Sequence, residues 1–259
     1  MNDILQLKDK TIVIMGIANE RSLAWGVAKV LNDAGAKLIF TYRKERSLSK
    51  LTDLLTKHEI TATLVVACDV TKDDSIKTAF NSIGEKVGKI NGIVHAIAFA
   101  HGEDLHGDFI DTSRDGYAFA QDTSAYSLIA ISREARPYLS NGAAIVTMSA
   151  LGAERVLDGY KVMGVAKAAL ESTCKHLALD LGHSNIRINA VSAGPIRTLA
   201  AKGIPSFQRM LQEAKEKAPL KRNVTQEEVA NMTMMLLSPI SSGVTGEVLH
   251  VDGGYNIMG

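Results

Sequence analysis

The chain has 259 residues, 46% hydrophobic and 22% charged, with 21 glycines and five prolines. That balance excludes collagen-like, low-complexity and disordered classes. Lys and Arg (29) barely outnumber Asp and Glu (28), so no basic field exists to hold a polyphosphate backbone, and nucleic acid is not expected as a partner.

The first residues contain no basic segment followed by a long apolar one. No apolar run approaches the ~20 residues that a bilayer requires. A cytoplasmic protein without membrane insertion is the expectation. Cys68 and Cys174 lie in apolar stretches without paired or metal-like spacing, so they read as reduced core thiols, and no metal is expected.

Along the chain, short aliphatic runs alternate with longer amphipathic stretches. Strands are expected at 11–17, 36–42, 62–70, 92–99, 143–150, 186–192 and 247–252. Their apolar character on both faces suits parallel strands covered on both sides. Between them lie helical patterns: Leu23, Val27, Val30 and Leu31 form one, closed by Gly35. Ile76, Phe80, Ile83 and Val87 form another, with Thr71 as its expected N-cap. Thr225 and Glu228 have capping-box spacing before a helix at 229–237. No Pro-, Gly- or Ser-rich linker divides the chain. The expected fold is α/β: one Rossmann-like domain spanning 1–259, a doubly wound parallel sheet of about seven strands with helices on both faces. One segment, 197–217, breaks the rhythm on the carboxyl side of the sheet, where insertions commonly cover a ligand.

Candidate chemistry follows the same order. After the first strand, small residues from Gly16 to Ser22 and Leu23 lead into a helix, whose start is suited to a pyrophosphate. This is not a G-x-G-x-x-G run, and an ordinary strand–helix turn explains it equally well. Arg43 and Lys44 end the second strand, where NAD-specific proteins place an acid. These two cations suit a 2′-phosphate, or form a solvated basic turn. Asp69 and Val70 close the third strand, and the segment from His95 through Ile97 to Ala100 closes the fourth, where adenine and nicotinamide ribose would lie. Asp69 also fits a simple turn. His95 reads as a core histidine whose partners the sequence does not identify. Tyr160 and Lys167 are seven residues apart, within ~20° of two helical turns and ~10 Å apart along an axis. They share a face but cannot touch if both are helical, so Tyr160 must stand at the helix start or lean back.

Together these pieces resemble the short-chain dehydrogenase/reductase superfamily, and within it the enoyl-acyl-carrier-protein reductases of bacterial fatty-acid synthesis. The likeness spans nearly the whole chain. It rests on the Tyr160-x6-Lys167 spacing, wider than the superfamily's usual Tyr-x3-Lys, and on HAIAFA at 95–100, LGAER at 151–155, YKVMGVAKAALE at 160–171, AGPIRTLAAKG at 193–203, APLKRNV at 218–224 and SSGVTGEVLHVDGG at 241–254.

The resemblance implies reduction of the trans-2 double bond of an enoyl-acyl-carrier-protein, the last reductive step of fatty-acid elongation, by an enzyme that is typically a homotetramer. It makes Tyr160 and Lys167 catalytic, with Lys167 also holding the nicotinamide ribose. Adenine would lie beside Asp69 and Val70, and the diphosphate and ribose near Gly16, Ser22, Leu23 and Ile97. Ile196, Arg197, Thr198, Leu199 and Ala200 would border the nicotinamide and diphosphate, and Ala100 and Tyr160 the substrate. Arg43-Lys44 resembles the subset preferring NADPH, with NADH as the second cofactor. The chain departs from the family at Ala150, where members commonly carry a second tyrosine ten residues before the catalytic one; this bears on substrate placement. The alternatives are another NADPH-dependent carbonyl reductase of the superfamily, or a catalytically weakened NADP-binding sensor.

Overall fold

Every residue of β1 (Thr11–Met15) is buried, and the two-residue side-chain period sends alternate residues to opposite faces. Ile12 and Ile14 join one core layer, Val13 and Met15 the other. The computed structural model describes residues 4–259. The first three, on which the expectation of no leader segment partly rests, lie outside the described residues.

The chain continues as α1 (Leu23–Asp33), β2 (Lys37–Tyr42), α2 (Glu45–Lys57), β3 (Ala62–Ala67), α3 (Asp73–Val87) and β4 (Ile90–His95). Then come α4 (Arg114–Gln121), α5 (Ser127–Ala135), β5 (Leu139–Ala150), α6 (Lys161–Gly182) and β6 (Arg187–Ala193). It ends with α7 (Phe207–Lys217), α8 (Gln226–Leu237) and β7 (Val248–Val251). All seven strands are parallel, in the order β3-β2-β1-β4-β5-β6-β7. Trp25 and Leu31 of α1, Leu51 of α2 and Val229 of α8 fill one layer; Phe80 of α3, Ile131 of α5 and Leu170 of α6 fill the other. Each such side chain withdrawn from water contributes roughly 1.5–3 kcal/mol. This is the expected doubly wound, Rossmann-like sheet.

The boundaries differ where the site lies. β1, β3 and β4 end at Met15, Ala67 and His95, several residues before the apolar runs do. One more backbone bond follows β3 and β4, Cys68 N–H to the Tyr42 carbonyl at 2.8 Å and Ala96 N–H to the Met15 carbonyl at 3.2 Å, before the chains leave the sheet. The apolar side chains of Ile17, Val70 and Ile97 pack against the core from loops instead. β5 starts earlier than its apolar run, pairing Leu139 with Ile90 before a register shift beside Gly142, whose φ is +79°. Gly35, at φ +78°, closes α1 as expected. Thr71 does not cap α3. Lys72 holds that position, one residue further on, and Thr71 Oγ1 instead donates to Asp69 Oδ1 at 2.8 Å. The Thr225–Glu228 capping box is present, one residue ahead of α8. Among the described residues no helix is long and apolar enough to cross a membrane, and no group of three His, Cys, Asp or Glu side chains is placed to hold a metal.

Candidate active site

Strand order reverses between β1 and β4, and a crevice opens outside their carboxyl ends. Gly16 sits at this point with φ +96°, and a Cβ there would fall 2.0 Å from the Ala96 carbonyl oxygen. Only glycine lets the two chains pass so closely. Ser22 Oγ then accepts from the amides of Ala18 (3.0 Å) and Asn19 (3.1 Å), tightening the loop before α1. Gln226 Nε2 donates to the carbonyls of Glu20 (2.9 Å) and Ser22 (2.7 Å), pinning the same loop from α8. The start of α1, whose first amides have no intrahelical partner, faces the crevice.

The crevice widens into a cavity of about 830 Å³ whose lining includes Gly16, Ser22 and Leu23 together with Tyr160 and Lys167. Tyr160 is the N-cap of α6, so of the two placements that the separation from Lys167 allowed it takes the helix start. Its ring packs on Gly152, where a Cβ would lie 2.1 Å from Tyr160 Cδ1. The next residue, Lys161, adopts φ +42°, a turn that sets the tyrosine apart from the helix proper. Lys167 is 5% exposed and its Nζ donates to the Met148 carbonyl at 2.6 Å. Burial pushes its ammonium down to about 8, opposed by the nearby Glu171 carboxylate. Burial, and after it the same carboxylate, pushes the Tyr160 phenol well above its ordinary value. At neutral pH the cavity therefore presents a phenol that keeps its proton beside a cationic lysine.

The structure brings Ile97, Ala100, Ala150, Ile196, Thr198, Leu199 and Ala200 onto this cavity wall with Tyr160 and Lys167. Arg197 does not join them: it is exposed, and its Nη2 donates to Gln208 Oε1 at 3.2 Å. Arg43, Lys44, Asp69 and Val70 form a separate group at the ends of β2 and β3. Arg43 Nε donates to Asp69 Oδ2 at 3.2 Å. Lys44 is the exposed N-cap of α2, and Val70 is buried in the core layer with Phe80. His95 is fully buried between Thr147 Oγ1 (2.8 Å) and Ser127 Oγ (2.9 Å), and burial, then Lys167, pushes it down to about 3. It is a neutral core histidine.

Met163 of α6 and Val156 and Leu157 of the loop before Tyr160, not singled out from the sequence, also line the cavity, as do Phe207 and Met210 of α7 from within the expected covering segment. The i, i+3 spacing of Phe207 and Met210 was the available signal. Several residues of segment 197–217 line the cavity, and Ser206 Oγ donates to the Asp158 carbonyl while Arg209 pairs with the Asp158 carboxylate at 3.7 Å.

A doubly wound parallel sheet with a cavity at its switch point, and a tyrosine and lysine from one helix in that cavity, defines the short-chain dehydrogenase/reductase class. A family model described as enoyl-(acyl carrier protein) reductase matches residues 16–256. The chain belongs to that family. It is 53% identical over 256 residues to the enoyl-acyl-carrier-protein reductase (NADH) FabI of Bacillus cereus, covering 98% of this chain and 99% of that one. It is 53% identical over 255 residues to the corresponding enzyme (NADPH) of Staphylococcus aureus, covering 98% and 100%. The crystal structure of the Bacillus cereus enoyl-acyl carrier protein reductase with NADP+ and indole naphthyridinone superposes with a TM-score of 0.95, at 52% identity over 98% of each chain. The Aquifex aeolicus enzyme (NADH) superposes at 0.93, with 44% identity over 98% of each.

Proposed function

We propose that this member of the family reduces the trans-2 double bond of enoyl-acyl-carrier-protein thioesters, the last reductive step of fatty-acid elongation, with NADPH as the preferred nicotinamide cofactor and NADH as the second. The observation that carries the reading is the protonated Tyr160 phenol beside Lys167 in a cavity whose other walls are mostly apolar, from Phe99 and Ala100 to Met163, Phe207 and Met210.

The cavity suits a dinucleotide at one end and an acyl chain at the other. Gly16 lets the loop pass against the Ala96 backbone, and the start of α1 supplies amides for the diphosphate. Gly16, Ser22, Leu23, Ile97, Ile196, Thr198, Leu199 and Ala200 would hold the phosphates and nicotinamide side, Asp69 and Val70 the adenine, and Lys167 the ribose. When bound, the nicotinamide supplies a hydride. Addition to the β-carbon moves charge onto the thioester oxygen, and stabilising that charge is the task of the chain's own residues. Tyr160 donates a hydrogen bond to that oxygen. Lys167, fixed against the Met148 carbonyl, adds positive potential in a site of low dielectric. Proton addition at the α-carbon completes the saturation. Segment 197–217 covers the acyl chain, and Ala150 and Ala100 border it.

Overall similarity does not choose the cofactor, because relatives equally identical to this chain are named for NADH and for NADPH. The choice rests on Arg43 and Lys44. Arg43 uses only Nε toward Asp69, so both terminal nitrogens remain free to grip a 2′-phosphate as a fork. Both side chains are exposed, which discounts each contact to the lower end of the charge-assisted range. Replacing both by Gln is expected to raise KM for NADPH about tenfold and leave KM for NADH nearly unchanged. Equal KM values for the two cofactors in the unmodified protein would contradict the assignment.

A homotetramer in the cytoplasm completes the proposal. Support comes from β7, a sheet edge of half-buried Val248, Leu249, His250 and Val251, from exposed Ile129 and Leu179 on α5 and α6, and from the two buried free thiols. The functional test is NADPH consumption with a panel of enoyl thioesters and simple ketones. Turnover confined to the thioesters is expected. Turnover confined to ketones, or cofactor binding with no turnover, would overturn the reading.

A further inference from the structure

α6 directs two ionisable side chains at the same end of β5. Lys167 donates to the Met148 carbonyl at 2.6 Å, and Glu171, one helical turn further, accepts from Ser149 Oγ at 2.5 Å. Consecutive residues of β5 are thus held by opposite charges, 5% and 7% exposed respectively. The reaction as proposed does not use Glu171. A carboxylate withdrawn from water is unfavourable unless something compensates it, and one hydroxyl compensates it only in part. No cation forms a direct ion pair with it. The charged groups around it are Lys167 and Lys175 on α6, Glu154 after the turn at 151–153, and His250 on β7, itself bonded to Glu154 at 2.6 Å.

We infer that Glu171 is a positioning residue for Lys167: its charge keeps the buried lysine protonated against the Met148 carbonyl, and so sets the upper pH limit at which the chain binds its nicotinamide nucleotide. The inference rests on the reading above, in which Lys167 meets the ribose. The surroundings of Lys167 leave this role to Glu171. His95, facing Lys167 from β4, is neutral, and Tyr160 is a protonated phenol. The Cys174 thiol, also near Glu171, is pushed up to about 12 by burial and by that carboxylate, and carries no charge. Burial pushes Lys167 down to about 8, and Glu171 is the charge that pushes it back. Burial also raises the Glu171 carboxyl from its ordinary 4.5. The hydrogen bond from Ser149 Oγ works against burial and favours the ionised carboxylate. Removing the carboxylate charge therefore moves loss of the ammonium to lower pH.

The test is the dissociation constant of NADPH, with no enoyl substrate present, followed from neutral into alkaline pH. Wild type is expected to lose affinity through a limb near 8. In Glu171→Gln, which keeps the acceptor for Ser149, that limb moves down by about one pH unit, with affinity below the limb retained. Ser149→Ala cuts the hydrogen bond but leaves the charge, so it lowers thermal stability without moving the limb. Glu171→Asp also keeps the charge and the wild-type limb, and provides the comparison if the Gln variant folds poorly. An unmoved limb in Glu171→Gln, or an equal shift in Ser149→Ala or Glu171→Asp, overturns the inference. An intact limb in a chain that reduces no enoyl thioester defeats the functional reading alone.

Discussion

Tyr160→Phe is expected to lower kcat by about 10²–10³ while leaving NADPH affinity unchanged. The phenylalanine ring retains its packing on Gly152, and the N-cap position of α6 is unaltered. What disappears is one O–H aimed into a cavity of low dielectric, where a donor to developing charge is worth about 2.7–4 kcal/mol in the transition state. The ground-state enoyl oxygen carries little charge, so the loss belongs in turnover and not in KM. Steady-state kinetics beside direct NADPH titration separates the two. Turnover within a few-fold of wild type would remove Tyr160 from the mechanism.

Lys167→Ala is expected to damage both quantities, lowering kcat by at least about 10² and weakening NADPH binding by about tenfold or more. The substitution deletes the proposed ribose contact and the positive charge together. It also leaves the Met148 carbonyl without its donor, and a buried polar group so abandoned costs about 1–3 kcal/mol of stability. Glu171 adds to this, since its buried carboxylate then has no neighbouring ammonium on the cavity side. Denaturant unfolding measured with the kinetics tells apart a folded but inactive variant from an unfolded one. Wild-type NADPH affinity in a folded Lys167→Ala protein would contradict the placement of Lys167 at the ribose.

Where burial alone decides structure, the chain was readable residue by residue. β1 is apolar on both faces because helices cover both, and Thr225 with Glu228 carries its cap in four consecutive letters. The Tyr160–Lys167 spacing went further, because helix geometry forbade contact between two helical residues and left the tyrosine either at the helix start or leaning back; it stands at the start of α6. Strand ends were less readable. The apolar runs through Ile17, Val70 and Ile97 continue past the last paired residue, and apolar character does not distinguish a strand from a loop that packs on the core. Thr71 shows the same limit for hydroxyls: its type suits an N-cap, but Asp69, two residues away, captures it. Contacts between distant segments had no local signature. Arg43 meets Asp69 across β2 and β3, His95 finds Thr147 and Ser127, and Glu171 meets Ser149 only because α6 lies over β5.

The most direct test of the central claim is to follow where the hydride goes. Crotonyl thioester reduced with NADPH carrying deuterium at the transferable position of the nicotinamide is expected to give butyryl thioester with one deuterium at the β-carbon. In heavy water with ordinary NADPH, the label is expected at the α-carbon instead. Label at the carbonyl carbon, or a double bond left intact while NADPH is consumed, would contradict the account.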